Sequence, residues 1–131
     1  MPADNNNHTA WDQVFVDIVT YVYRFQIDSP RAWMRARTAT LDALGCAIES
    51  QHASVGCRSL LGPNVPDTHV RNGCRLPGTM YELDPIKCAF DLGTCIRYLD
   101  HNDALGGAEA GHPSGICLCS LIARQWSDFP R

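Results

Sequence analysis

Between residues 100 and 112 the sequence reads DHNDALGGAEAGH, and six side chains there are equipped for chemistry: Asp100, His101, Asn102, Asp103, Glu109 and His112. Three chemistries use such groups. A calcium loop of the EF-hand type needs oxygen ligands at alternate positions and a glycine at the sixth. Asp100 and Asn102 suit the first two ligand positions, but Ala104 stands at the fifth and the glycine is missing. A helical zinc site needs two histidines at i and i+4, which this stretch lacks. General acid/base catalysis asks for less: a carboxylate at the end of a buried helix beside an imidazole on a glycine-rich loop suits proton removal next to a substrate carboxylate. On spacing alone a plainer role stands beside it, with Asp100 closing a helix and His112 a solvated turn residue ahead of Pro113.

The elements that must position this loop follow from apolar periodicity. Trp11, Val14, Phe15, Ile18, Val19, Val22 and Phe25 recur at spacings of three and four, which predicts a helix near 11–26 behind a cap at Thr9. Asp28 and Ser29 ahead of Pro30 predict a second helix near 30–49, and Asp84 ahead of Pro85 a third near 85–99. A last helix is predicted near 115–126. Asn72-Gly73, between Thr68–Val70 and Cys74–Leu76, predicts a small hairpin. The expected fold is all-α and multihelical with one small β-hairpin, built from residues 10–131 behind a disordered 1–9. Trp11, Phe15, Ile18, Val22, Trp33, Leu41, Leu44, Phe90, Ile96 and Leu121 are its expected core.

Composition narrows the function. The 131 residues carry 45% hydrophobic and 19% charged side chains with a net charge of −3, which leaves no basic footprint for nucleic acid. Lys87 is the sole lysine against ten arginines, so Schiff-base chemistry has one side chain to draw on. No apolar run of 18 residues occurs, so no membrane partner is expected. An N-terminus without Lys or Arg resembles neither a secretory signal nor a clear mitochondrial presequence, and the cytoplasm is the expected address, with the mitochondrion as the alternative. Seven cysteines, an odd number, are expected to be reduced and partly buried, and the Cys117-x-Cys119 spacing is not a zinc half-site.

Four separated motifs, LDALGCAIES (41–50), RLPGTMYELDPIKCAFDLG (75–93), IRYLDHNDA (96–104) and AEAGHPS (108–114), together resemble the N-terminal part of the MmgE/PrpD family. The resemblance covers about residues 11 to 114. It implies a cofactor-independent lyase or isomerase acting on small polycarboxylates of the 2-methylcitrate type, in propionate breakdown. It also implies a large helical domain, a smaller lid domain and a homodimer. Carried over residue by residue, the family's Leu-Asp motif falls on Leu99-Asp100 and its loop histidine on His112. Both are thereby implicated in the proton transfers of a β-elimination of water, or in holding a substrate carboxylate, with the roles of acid and base left open between them. Asn102 and Asp103 line the same turn as substrate-binding residues. Lys87 and Arg97 fall in the matching stretches but are read as surface or dimer contacts without a catalytic role.

Family chains are several times longer, and the similarity is expected to end at Ser114, where Gly115-Ile116-Cys117-Leu118-Cys119 replaces a polar continuation. Residues 115–131 are accordingly expected to be a divergent tail. The chain is expected to be a truncated N-terminal piece of the enzyme, inactive alone, or a non-catalytic helical subunit that at most pairs with a complete one. Because the loop lacks metal-ligand spacing, elemental analysis of the purified chain is expected to find no stoichiometric metal. One zinc or iron per chain would contradict acid/base roles for Asp100 and His112.

Overall fold

The computed structural model describes residues 12–106 and 110–127. The elements run α1 (Gln13–Arg24), α2 (Pro30–Ala53), α3 (Val55–Ser59), β1 (Cys74–Arg75), β2 (Glu82–Leu83), α4 (Pro85–Arg97) and α5 (Pro113–Ser127). This is the expected helical architecture with one two-stranded hairpin. Residues 1–9, the Thr9 cap, Trp11 and Glu109 lie outside the described residues. Among the described residues no helix is long and apolar enough to cross a membrane.

The chain divides into two compact units, Met1–Trp33 and Met34–Arg131. In the first, α1 starts behind Asp12, whose side chain makes no capping bond. Its apolar stripe was expected to be core, yet Phe15, Ile18, Val22 and Phe25 are all exposed, and so is Trp33. Periodicity specifies which face of a helix is apolar and says nothing of what covers it. Local order comes instead from the stacking of Tyr21 on Phe25 and from the Trp33 indole N–H, which donates to the Ile27 carbonyl over 2.9 Å. Ser29 accepts from the Ala32 amide at the start of α2, as expected of a cap.

The second unit has a core of small residues. Ala43 and Ala47 of α2 meet Cys57, Cys74, Leu76, Leu83, Cys88, Leu92, Cys95, Ile96 and Ile122. Of the expected core, Ile96 is buried and Leu44 packs against it, whereas Leu41, Phe90 and Leu121 are exposed, Leu41 by 70% and Phe90 by 66%. The reason is a rotated face. The buried positions of α4 are Cys88, Asp91, Leu92, Cys95 and Ile96, a clean helical stripe that includes two thiols and a carboxylate. Reading the largest apolar side chains as the inner face puts Ile86 and Phe90 inside, and the structure puts them outside. In α2 the buried set is likewise Ala43, Cys46, Ala47, Ser50 and Gln51. There the Ser50 hydroxyl donates to the Cys95 carbonyl over 2.6 Å, a tie between α2 and α4 that small side chains permit.

Asp91 is wholly buried and anchors α4. Its carboxylate pairs with the Lys87 ammonium one turn earlier and accepts the Gly62 amide over 2.9 Å. Lys87, only 12% exposed at its side chain, also donates to the Leu60 carbonyl and lies 5.4 Å above the Phe90 ring. It is therefore a structural ion-pair residue rather than a surface contact. Gly62 has φ +111°, a conformation other residues resist, so the loop after α3 reaches Asp91 only with glycine there. At its other end α4 starts on Asp84, whose side chain accepts from the Ile86 and Lys87 amides at 3.0 Å each.

The hairpin exists but pairs differently from the expectation. Cys74 faces Leu83 and Arg75 faces Glu82 in antiparallel register, so the partner of 74–75 lies downstream rather than at 68–70. The reversal is at Pro77-Gly78, with the Thr79 amide donating to the Leu76 carbonyl and Gly78 at φ +81°. Pro followed by Gly at the two central positions is the signature of a type II turn. Asn72 at φ +56° makes only the local turn before β1.

The described thiols are free and buried, as expected. Burial pushes Cys88 and Cys95 up to about 12. A thiol held above its unfolded value of ~8.5 contributes stability at neutral pH that is lost as pH rises from about 8.5 toward 12, because the unfolded chain gives up its proton first. The free energy of urea unfolding is expected to fall from pH 8 to pH 10, by up to ~1.4 kcal/mol per pH unit for each thiol. Cys88→Ala is expected to make that slope shallower; an unchanged slope would remove Cys88 as its source.

Candidate functional site at the C-terminal end of helix α4

Helix α4 ends at Arg97, and the chain reverses at Asp100, whose φ of +54° is left-handed. Aspartate tolerates that conformation better than most residues, and its amide closes the turn on the Arg97 carbonyl over 3.1 Å. The loop that follows is gathered at its base by Leu105 and Gly111, which exchange amide-to-carbonyl bonds of 2.8 and 3.1 Å. That bridge delivers His112 and the start of α5 back to the end of α4.

One guanidinium organises the result. Arg97 Nη2 lies 2.8 Å from Asp100 Oδ1, and Nη1 donates to Asn102 Oδ1 over 2.9 Å and lies 3.0 Å from His112 Nε2. The opposite ring nitrogen, Nδ1, is 2.7 Å from the Asp103 carbonyl oxygen. Asn102, itself buried, donates from Nδ2 to the hydroxyl of buried Ser114 over 3.0 Å. Asp103 Oδ2 accepts the Ser114 amide over 3.1 Å, so a distant carboxylate serves the orphan donors at the start of α5. The Asp103 amide in turn donates to Asp42 Oδ2 on α2 over 3.1 Å.

Asp100, Asn102, Asp103 and His112 are thus brought together around Arg97. Asn102 and Asp103 are occupied in holding the turn, whereas the Asp100 side chain is 77% exposed and open to a small molecule. His101 points elsewhere, its Nε2 lying 3.3 Å from Glu49 Oε2. Two members were not identified from sequence as part of the site. Arg97 was read as a surface contact, although an arginine three residues before an aspartate at a helix end is a pair within reach. Asp42 carried no signal beyond its place in the LDALGC motif. A groove of about 600 Å3 lined by residues including His52, Arg58, Met80 and Tyr81 shares none of these side chains. Among the described residues no three His, Cys, Asp or Glu side chains are grouped to hold a metal ion.

The sequence profile of the MmgE/PrpD N-terminal domain matches residues 16–126. The chain belongs to the MmgE/PrpD family. The match runs on past Ser114 to residue 126. Among curated relatives, a 2-methylcitrate dehydratase-like protein of Aspergillus oryzae is 57% identical over 113 residues, which is 86% of this chain and 23% of that protein. An alkylcitrate dehydratase of Talaromyces stipitatus is 50% identical over 88% of this chain and 25% of its own length. A 2-methylcitrate dehydratase of Escherichia coli K12 is 47% identical over 93% of this chain and again 25% of its own. This MmgE/PrpD chain therefore spans about a quarter of the length of the relatives it matches.

Removing the Asn102 side chain would strand the Ser114 hydroxyl in a buried setting and take one acceptor from Arg97 Nη1. Asn102→Ala is expected to cost ~1–3 kcal/mol in urea unfolding, the range for orphaned buried partners. A change within error would show that the network does not hold the turn.

Proposed function

We propose that the chain contributes the Asp100–His112 part of a hydro-lyase site that removes water from 2-methylcitrate or a longer 2-alkylcitrate, in propionate breakdown or a related route. The carrying observation is that one guanidinium holds a solvent-facing carboxylate and an imidazole on the same turn. Elimination of water from such an acid needs a base for a carbon-bound proton and an acid for the departing hydroxyl, both in reach of the substrate. Carboxylate and imidazole side chains suit those two tasks, and the reaction calls on no cofactor or metal. The names of the relatives, 2-methylcitrate dehydratase and alkylcitrate dehydratase, support the same substrate class. Asn102 and Asp103 belong to this reading as the residues that line and shape the substrate's end of the turn. A homodimer in the cytoplasm, without nucleic acid or membrane, completes the proposal.

The test is a chimera in which residues 16–126 replace the matching segment of the Escherichia coli 2-methylcitrate dehydratase. Formation of the unsaturated acid, followed by its ultraviolet absorbance, is expected to persist. Asp100→Asn and His112→Ala in the chimera are each expected to lower turnover by about 10²–10⁴, the contribution of positioned proton transfer. A folded chimera whose turnover survives both changes would refute the assignment. The 131-residue chain by itself is expected to give no turnover above background.

A further inference from the structure

We propose that Arg97 is the positioning residue of this turn and that it presents His112 as a proton acceptor at Nε2, an inference that rests on reading His112 as a proton-transfer group. A guanidinium offers five N–H donors, has no lone pair to accept with, and keeps its proton in proteins. The His112 Nε2 atom 3.0 Å from Arg97 Nη1 is therefore the accepting nitrogen of the ring. On the other side, Nδ1 lies 2.7 Å from the Asp103 carbonyl oxygen, which can only accept, so the ring hydrogen sits on Nδ1. Both contacts demand the same tautomer, and the alternative would set donor against donor at Nε2 and lone pair against lone pair at Nδ1. The hydrogen position is thus assigned by its two neighbours.

The same guanidinium grips Asp100 through Nη2 and Asn102 through Nη1. One side chain consequently sets both the separation of Asp100 from His112 and the ring nitrogen that carries the lone pair. His112 enters the proposed reaction as the base, with Nε2 the atom that takes the proton once the ring turns from Arg97 to substrate. Asn102 remains on Nη1 and keeps the arginine in place. A role limited to bracing the loop would fix neither the tautomer nor its dependence on a cation at position 97.

The experiment is two-bond 1H–15N correlation NMR on the full chain labelled with 15N-histidine at pH 8, with the His112 signals assigned from His112→Gln. The wild-type chain is expected to show His112 with its hydrogen on Nδ1. Arg97→Met, which removes every donor at Nε2 and leaves only the Asp103 carbonyl on Nδ1, is expected to lower the share of the Nδ1–H form below that of the wild type. Arg97→Lys, which keeps a donor at that place, is expected to retain the Nδ1–H form. A wild-type spectrum with the hydrogen on Nε2 would overturn the proposal, as would a share of Nδ1–H in a folded Arg97→Met equal to that of the wild type. If Arg97→Met does not fold, the wild-type and Arg97→Lys spectra decide between the same outcomes. The tautomer is read without substrate, so this inference and the proposed activity can each fail alone.

Discussion

The buried carboxylate of Asp91 is the constraint on which the larger unit depends. A carboxylate withdrawn from water costs several kcal/mol unless its lone pairs are met, and here the Lys87 ammonium and the Gly62 amide meet them. That requirement fixes α4 against the loop after α3, and it explains why Gly62 adopts a φ that a side chain would resist. With α4 fixed at its middle and capped by Asp84 at its start, its last residue is fixed as well. Arg97 thus stands at a defined place less than two turns beyond Asp91, and the turn that follows is built on it.

Around that anchor the packing is made by small groups. Cys57, Cys74, Cys88 and Cys95 act as compact apolar side chains between α2, α4 and the hairpin, with Leu76, Leu83, Leu92 and Ile96 filling the larger spaces. Thiols are short enough for Ser50 to reach across and bond the Cys95 carbonyl, so close helix approach and polar satisfaction come together. The same burial keeps Cys88 and Cys95 protonated, and these two are structural rather than reactive.

At the end of α4 the chemistry of the turn is set by a charge-assisted network. Arg97 contacts Asp100, Asn102 and His112, and two of these are tied again, Asn102 to Ser114 and His112 to the Asp103 carbonyl, while Asp103 is tied to the start of α5 and to Asp42. The proton-transfer roles proposed for Asp100 and His112 need both groups held near the productive geometry, and α4 and α5 on either side of the loop supply that hold. The left-handed backbone at Asp100 is part of the arrangement, because it turns the carboxylate out toward solvent while keeping it on Arg97.

The sequence by itself determined the helices, the caps at Ser29 and Asp84, the presence of a hairpin and the family, since these rest on local spacing and on motifs of contiguous residues. It also placed Asp100, Asn102, Asp103 and His112 in one loop. It misplaced the inner faces of α2 and α4, because a rule that buries the largest apolar side chains cannot know that Asp91 has Lys87 and Gly62 waiting for it, or that thiols and alanines fill the contact. It paired the hairpin through Asn72-Gly73 when Pro77-Gly78 makes the reversal, as two local turn signals competed and only the packing of Leu76 and Leu83 into the core chose between them. It treated α1 as core where none of its residues is buried. The role of Arg97 was decided by tertiary structure: a guanidinium gains its meaning from the acceptors that surround it, and His112 reaches it only after the loop has folded back through the Leu105–Gly111 bridge.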